Sequence, residues 1–271
     1  MSSFVITLLK KIKNYKTLKK TILFFLPRRF WHLRRFDLDL QQDFESWEQL
    51  SSLPKKHIII GSGSSTSLIL SSSLDNSLVF FLNGSIRLLK NLKERKFKSV
   101  YVSTDPNYVK NSKEIFLFGL NESDICYFSY EVLEYLKKKN IDLKGKIIYP
   151  IDLVSAPYWS IRRVKKDFDG IHLNQRVGFS FEPQKFCYSG ETVAFSALQI
   201  SLWLRPKSIE FYGLDFNNGG KRFYKENEAL PSRLETNFEK IILPSFQIAK
   251  KILDKEKVSY KNYSPENKIL F

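Results

Sequence analysis

The run Gly61-Ser62-Gly63-Ser64-Ser65 has the composition of an anion cradle. Glycine lets the main chain approach a phosphate closely, and free N–H groups at the start of a following helix would bind it. An ordinary strand-to-helix turn would use the same residues. The run is not a dinucleotide fingerprint, because position 66 is Thr66, and it lacks the Gly-Lys-Ser/Thr ending of a nucleoside-triphosphate loop. Other short stretches offer related chemistry. Asn83-Gly84-Ser85 can hydrogen-bond a base or a sugar, or form a plain turn. Thr104-Asp105 stands before Pro106, where the carboxylate faces a ligand or caps a helix. Ser189-Gly190-Glu191-Thr192 reads as a helix opening whose N–H groups suit a carboxylate or phosphate. Glu191 is then a favourable first-turn charge or a proton acceptor aimed at the ligand. Asp215 ends a strand-like run, to touch a ligand or to cap the next loop.

Residues 217–231, "NNGGKRFYKENEALP", are polar and glycine-containing and read as a mobile loop that closes on a substrate. The loop offers Lys221, Arg222 and Tyr224 for a phosphate and Glu226 or Glu228 for proton transfer, or is simply solvated. Of the three histidines, His32 lies in a basic arm and His57 precedes a strand. His172, in "DGIHLNQRVGF", is near a plausible site, as a phosphate or acceptor contact or as a structural residue. No HExxH, DxD or metal-ligand cluster is present, so the expected chemistry is metal-independent.

These groups need a frame. Apolar, strand-like runs alternate with helical ones from "KKHIIIG" through "SLVFFLNG", "FKSVYVSTD", "DICYFS", "KGKIIYPID" and "KSIEFYGLDF" to "VSYKNYS". Between them stand helical runs such as "SIRLLKNL", "YEVLEYLKKKN", "ETVAFSALQISLWLR" and a long one bent at Pro244. Such alternation predicts an α/β fold: a Rossmann-like, mostly parallel sheet with helices on both faces. In such sheets ligands sit beyond the carboxyl ends of the strands. Four of the strand ends carry small polar groups: residues 61–65, 83–85, 104–105 and Asp215.

The chain has 271 residues, 43% of them hydrophobic, which is enough for a sizeable core. Its net charge of +16 favours anionic partners: nucleotides, nucleic acid or anionic lipid. Residues 1–35 hold ten Lys or Arg and no acid, with Leu8, Leu9, Ile12, Tyr15, Leu18 and Ile22 at helical spacing. Past Pro27 an arginine/aromatic cluster includes Arg28, Arg29, Phe30 and Trp31. This reads as a basic amphipathic segment for an anionic membrane surface, or as a solvated helix packed on the body. Residues 1–50 are therefore set apart from a body at 51–271. No run of about 18 apolar residues predicts a membrane-spanning helix, and no cleavable leader is recognisable. Cys126 and Cys187 form no CxxC pair, which fits a reducing compartment.

Several motifs together resemble a known family. "ETVAFSALQIS", "GLDF", "RFYKEN", "LPSRL" and "YKNYSPENKIL", with weaker "FLNGS" and "YVSTD", are similar to the lipopolysaccharide-core enzymes that add a third Kdo (3-deoxy-D-manno-octulosonic acid). More distantly, the chain resembles bacterial CMP-sialic acid sialyltransferases with a single Rossmann-like domain. Gly61, Gly63, Ser65, Asn83, Ser189, Gly190 and Asp215 fall on motifs that surround CMP in those enzymes, and "SPENKIL" resembles their closing turn. The resemblance implies a sialyltransferase-like, GT-A-like glycosyltransferase with no cofactor beyond a CMP-Kdo donor. It further implies an anionic glycolipid acceptor, no nucleic acid, and a peripheral place on the cytoplasmic face of the inner membrane. The donor contacts would be Gly61, Ser62, Gly63, Ser64, Ser65, Asn83, Gly84, Ser85, Thr104, Asp105, Ser189, Gly190, Thr192, Asp215 and Tyr224. Lys221, Arg222 and His172 would meet the phosphate or the acceptor, and Glu191 or Glu226 would take the proton. The sialyltransferases use a histidine base in the mobile segment, whereas residues 217–250 hold none, and a donor-phosphate tyrosine position is here Asn217. A CMP-sialic acid donor, a methyltransferase or nucleotide pyrophosphotransferase on the same fold, and a non-enzymatic membrane adaptor are the competing expectations.

Overall fold

The computed structural model describes residues 53–92, 94–154, 169–174, 176–215, 222–224 and 237–264. The basic arm therefore lies outside the described residues, as do Lys221, Glu226 and Glu228.

Seven strands form one wholly parallel sheet: β1 (Lys56–Ile60), β2 (Leu78–Leu82), β3 (Lys98–Ser103), β4 (Ile125–Ser129), β5 (Ile148–Ile151), β10 (Ser208–Tyr212) and β11 (Ser259–Asn262). Short pairs lie beside it: β6 (Leu153–Val154) with β9 (Cys187–Tyr188), and a hairpin of β7 (Gly170–His172) and β8 (Gly178–Ser180). That hairpin leaves no clear trace in the amino-acid pattern.

The strands are runs of β-branched and aromatic residues because both faces of the sheet are covered. Alternate residues enter two cores: Ile59, Phe80 and Val102 on one face, Ile58, Ile60, Phe81 and Tyr101 on the other. Helices α1 (Pro106–Asn111), α2 (Lys113–Glu122) and α3 (Tyr130–Lys138) cover the second face. Helices α4 (Val193–Trp203) and α5 (Leu243–Lys255) cover the first. The expected α/β architecture is thus present. Pro150, which has no N–H to give a ladder, sits in β5 at the sheet's edge.

The order is β11-β10-β1-β2-β3-β4-β5. The chain lays β1 to β5 outward in one direction, then returns to add β10 and β11 on the other side of β1. The reversal falls between β1 and β10, and a crevice opens beyond the carboxyl ends of strands at such a point.

Helix α4 runs antiparallel to the strands, so its start lies at their carboxyl edge. Gln199 fixes it there. Its amide nitrogen donates to the carbonyls of Tyr188 (2.8 Å) and Phe195 (3.1 Å), and its oxygen accepts from the N–H groups of Ser180 (3.0 Å) and Tyr188 (3.1 Å). His57 lies inside β1, not before it, and is fully buried. Its Nε2–H donates to the Pro54 carbonyl at 3.0 Å, leaving Nδ1 to accept from the Ser201 hydroxyl at 2.8 Å. Burial pushes the imidazole down to about 3.

Two helical expectations change in detail. The run after β2 is a 3-10 helix, Asn83–Asn91. The long C-terminal helix opens with a π turn, Phe238–Ile242, immediately ahead of Leu243 and Pro244. Proline supplies no N–H, so a wider turn ahead of it fits the local chemistry.

Candidate active site

The residues after β1 and β10 form one bonded unit at the switch point. Asp215 accepts from the Ser65 N–H (2.7 Å), the Ser65 hydroxyl (2.6 Å) and the Ser64 hydroxyl (3.1 Å). The Ser65 hydroxyl oxygen also accepts from the Gly213 N–H at 3.0 Å and lies 3.1 Å from the Ser264 hydroxyl, whose oxygen in turn accepts from the Leu214 N–H at 3.0 Å. Asp215 is therefore a brace for the Gly/Ser loop, and Ser264 is a member that sequence reasoning did not single out.

The glycines are steric requirements here. A Cβ on Gly61 would strike the Gly213 carbonyl, and one on Gly63 would come within 2.5 Å of the Asp215 carboxylate. Gly213 has φ +66, a conformation that favours glycine. Backbone thus meets backbone across the β1–β10 junction. The loop continues as a 3-10 helix, Ser64–Leu68. Thr66 closes it by donating its hydroxyl to the Gly61 carbonyl at 3.0 Å.

The second strand end joins through Ser85. Its hydroxyl donates to the Ile60 carbonyl and accepts from the Leu82 N–H, both at 2.7 Å, so this buried serine stitches β1 to β2. Asn83 has φ 46, and its side-chain carbonyl oxygen is buried without a hydrogen-bond partner. Gly84 lies so close to Tyr224 that a Cβ would meet the phenol.

Residues 222–224 lie over this surface. Arg222 bridges to Gly63, and the Phe223 N–H donates to the Ser62 carbonyl at 3.2 Å. The Arg222 guanidinium donates to the Ser62 hydroxyl (3.3 Å) and to the Tyr224 hydroxyl (3.1 Å). The Arg87 guanidinium lies 4.5 Å from the centre of the Tyr224 ring and that of Arg222 5.9 Å. Burial raises the Tyr108 phenol above its ordinary value, while Arg87 and Arg222 pull it the other way. Sequence reasoning passed over Arg87 and Tyr108. The available signal was spacing: a 3-10 helix has three residues per turn, which puts Arg87 directly over Gly84.

Asp105 accepts from the Asn107 N–H at 2.8 Å and caps α1, with Pro106 in the first turn. Thr104, at the end of β3, uses its carbonyl to accept from the Ser129 hydroxyl at 3.0 Å.

Of residues 189–192 only Thr192 belongs to the helix opening that the sequence suggests. Helix α4 begins at Val193, with Thr192 as its cap and the Thr192 hydroxyl oxygen accepting from the Ala194 N–H at 3.3 Å. Before it stands a turn in which Gly190 (φ 51) and Glu191 (φ 56) are both left-handed. The Thr192 N–H closes it onto the Ser189 carbonyl at 3.0 Å. Packing enforces the turn, since a Cβ on Gly190 would lie 2.5 Å from the Phe195 ring. Glu191 consequently sits outside the helix with an exposed carboxylate, in a conformation that costs a non-glycine residue about 1 kcal/mol or more. The turn shares the carboxyl edge of the sheet with the cradle. His172 pairs at 3.0 Å with the hydroxyl of Tyr188, the residue before Ser189, so it reaches this turn through a tyrosine.

Among the described residues no group of three or more His, Cys, Asp or Glu could hold a metal ion. No described helix is long and apolar enough to cross a membrane. Cys126 and Cys187 are free and buried, and burial raises both thiols to about 12.

Residues 171–267 match the family model of the 3-deoxy-D-manno-octulosonic acid transferase WaaZ. The matched span holds the 189–192 turn, Asp215, residues 222–224 and Ser264. No curated protein matches the chain. Among solved structures, the fold is similar to the sialyltransferase CstII from Campylobacter jejuni in complex with the substrate analogue CMP-3FNeuAc. Identity is 16%, the TM-score 0.43, and the likeness covers 78% of this chain and 82% of that one. The monofunctional alpha-2,3-sialyltransferase Cst-I of Campylobacter jejuni is similar at 16% identity and TM-score 0.43, over 83% of this chain and 79% of that one. The resemblance to the Kdo-transferase family, drawn above from short motifs, is borne out by the family match, which supports glycosyltransferase chemistry in lipopolysaccharide-core synthesis.

Proposed function

We propose that the chain is an inverting glycosyltransferase that moves Kdo from CMP-Kdo to a Kdo or core sugar on lipid A. The observation that carries this reading is the braced Gly/Ser cradle at the β1–β10 switch point, held within a chain whose residues 171–267 match a Kdo-transferase family. A CMP-sugar needs a place for cytidine and cations or hydroxyls for one phosphodiester. The Gly61, Gly63 and Ser65 N–H groups are already given to the Tyr212 and Gly213 carbonyls and to Asp215, so the loop would offer the nucleotide the space its glycines open rather than the row of free N–H groups that the sequence suggests. Asn83, with its unpartnered oxygen, suits a base or sugar donor group.

In the reaction an acceptor hydroxyl attacks the anomeric carbon of Kdo. The anomeric C–O bond to phosphate breaks, and its electron pair leaves with CMP. The hydroxyl proton passes to a carboxylate, Glu191 or Glu226. The exposed, left-handed Glu191 fits that role, and such base help is typically worth about 10²–10⁴-fold. Arg222 and Tyr224, with Lys221, would steady the departing phosphate, and a single phosphodiester leaving group asks for no metal. The +16 charge and the exposed Leu68 and Leu70 (58% and 71%), which follow the cradle directly, support a place on the anionic inner leaflet, where the lipid acceptor lies.

The test is incubation of the full chain with CMP-Kdo or CMP-sialic acid and a Kdo-lipid A acceptor, with and without a chelator. The expected result is CMP release from CMP-Kdo alone, one added Kdo mass on the lipid, and no effect of chelation. Absence of CMP release from either donor defeats the proposal, and turnover of CMP-sialic acid alone corrects the sugar.

A further inference from the structure

Arg87 has no part in the chemistry assigned so far, and its surroundings leave it unsatisfied. Its Nε is buried and has no hydrogen-bond partner. Arg87 belongs to none of the ion pairs among the described residues, which join Lys56 to Glu210, Arg95 to Glu122, Lys98 to Asp124, Lys138 to Glu134 and Lys185 to Glu182. A buried donor of this kind costs free energy unless something accepts from it, the more so on a charged group.

The position is fixed from three sides. The 3-10 helix Asn83–Asn91 places Arg87 one turn beyond Gly84, whose missing side chain admits Tyr224. The guanidinium carbon then lies 4.5 Å from the centre of the Tyr224 ring, a cation–π contact that uses none of its N–H donors. Arg222, bonded to the Tyr224 hydroxyl and to Ser62 of the cradle, brings a second cation to the same tyrosine. Four residues before Arg87, the buried side-chain oxygen of Asn83 lacks a donor. An orphan donor and an orphan acceptor therefore stand at the same strand end without satisfying each other. A ligand that offers both an anionic oxygen and an N–H or O–H group completes both.

We infer that Arg87 is an oxyanion-binding residue of the cleft, which takes the phosphate of a nucleoside monophosphate while Asn83 takes a donor group of the same ligand. This deepens the proposed function and rests on it for the identity of the nucleotide. A guanidinium held against an aromatic ring keeps its forked N–H donors, which suit a phosphate and are poorly mimicked by lysine.

The experiment is calorimetric titration of the full chain and of its Arg87→Gln and Arg87→Lys variants with CMP, cytidine, free Kdo and inorganic phosphate. Thermal unfolding is recorded on each variant, and Tyr224→Leu serves as a second probe of the same platform. The expected result is a roughly 10- to 100-fold loss of CMP affinity in Arg87→Gln, with cytidine affinity unchanged and Arg87→Lys intermediate. Tyr224→Leu should weaken CMP in the same direction by releasing the guanidinium. Equal CMP affinity in wild type and Arg87→Gln overturns the inference, as does a parallel loss of cytidine affinity, which would mark Arg87 as structural. Arg87-dependent binding of free Kdo without loss of CMP affinity overturns it in favour of a carboxylate site. If phosphate binds through Arg87 while neither CMP nor cytidine does, the oxyanion site stands and the nucleotide reading falls. If wild type binds no anion at all, both fall.

Discussion

Acid should unfasten β1 from its covering helix through one residue. His57 is buried in β1 as a neutral imidazole, with the Pro54 carbonyl and the Ser201 hydroxyl taking its two nitrogens. Desolvation lowers it from 6.5 to about 3, the backbone hydrogen bond to Pro54 opposing and the charge of Lys55 adding to the fall. The unfolded chain takes up a proton below about pH 6.5, and the folded chain refuses it until about pH 3. Stability is thus fully present above pH 6.5, falls across that window and stops falling below it, because both states are then protonated. At about 1.4 kcal/mol per pH unit the loss from this group is about 2 kcal/mol at pH 5 and about 4 kcal/mol at pH 3. His57→Gln does not titrate, so it should lose about 2 kcal/mol less than wild type between pH 7 and pH 5. The assay is urea unfolding of both proteins at the two pH values, taking the difference of differences so that other titrating groups cancel. Equal losses in the two proteins, or an imidazole that titrates near pH 6 in the NMR spectrum of native protein, refute the reasoning.

Gly84→Ala should displace the Tyr224 ring and weaken CMP binding at least tenfold in a titration, with the unfolding midpoint nearly unchanged, because the helix backbone tolerates alanine. Asp215→Ala strips the acceptor from Ser64 and from both donors of Ser65, and should cost about 2–4 kcal/mol in denaturant unfolding as well as abolishing nucleotide binding. Gln199→Leu conserves approximate size but orphans the Ser180 and Tyr188 N–H groups and the Tyr188 carbonyl. A loss of about 3–5 kcal/mol is expected by the same measurement, with Gln199→Glu intermediate.

Six of the seven principal strands are legible in the amino-acid pattern because each is a dense apolar run closed by Gly, Asn, Ser or Asp, whereas the edge strand β11 is the polar Ser-Tyr-Lys-Asn. Their parallel pairing follows from the helices between them. Strand order does not follow from local pattern, since nothing within "KSIEFYGLDF" states that it pairs with "HIII". The Gly/Ser loop, Asn83 and Asp215 were recognisable as strand-end groups, but their mutual bonding was not. Asp215 and Ser65 meet across a sequence separation of 150, a distance at which residue type carries no signal. Residues 189–191 differ from the expected helix start for a physical reason: Gly serves a left-handed turn as readily as a helix start, and Phe195 decides between the two by packing on Gly190. The buried roles of His57, placed only before a strand, and of Gln199 were not legible because a polar residue in an apolar run looks like surface until its partners are known. Arg87 was hidden in a basic helical stretch, where a cation is expected to be solvated.

Ser264 follows β11, yet its hydroxyl reaches Ser65 across 199 residues and Leu214 across 50. A nascent chain that has made β1 to β5 already owns the glycines of the cradle but not the wall against which they are braced. The bracing of the loop is therefore complete only when the last strand docks, and earlier stages of folding hold it in part.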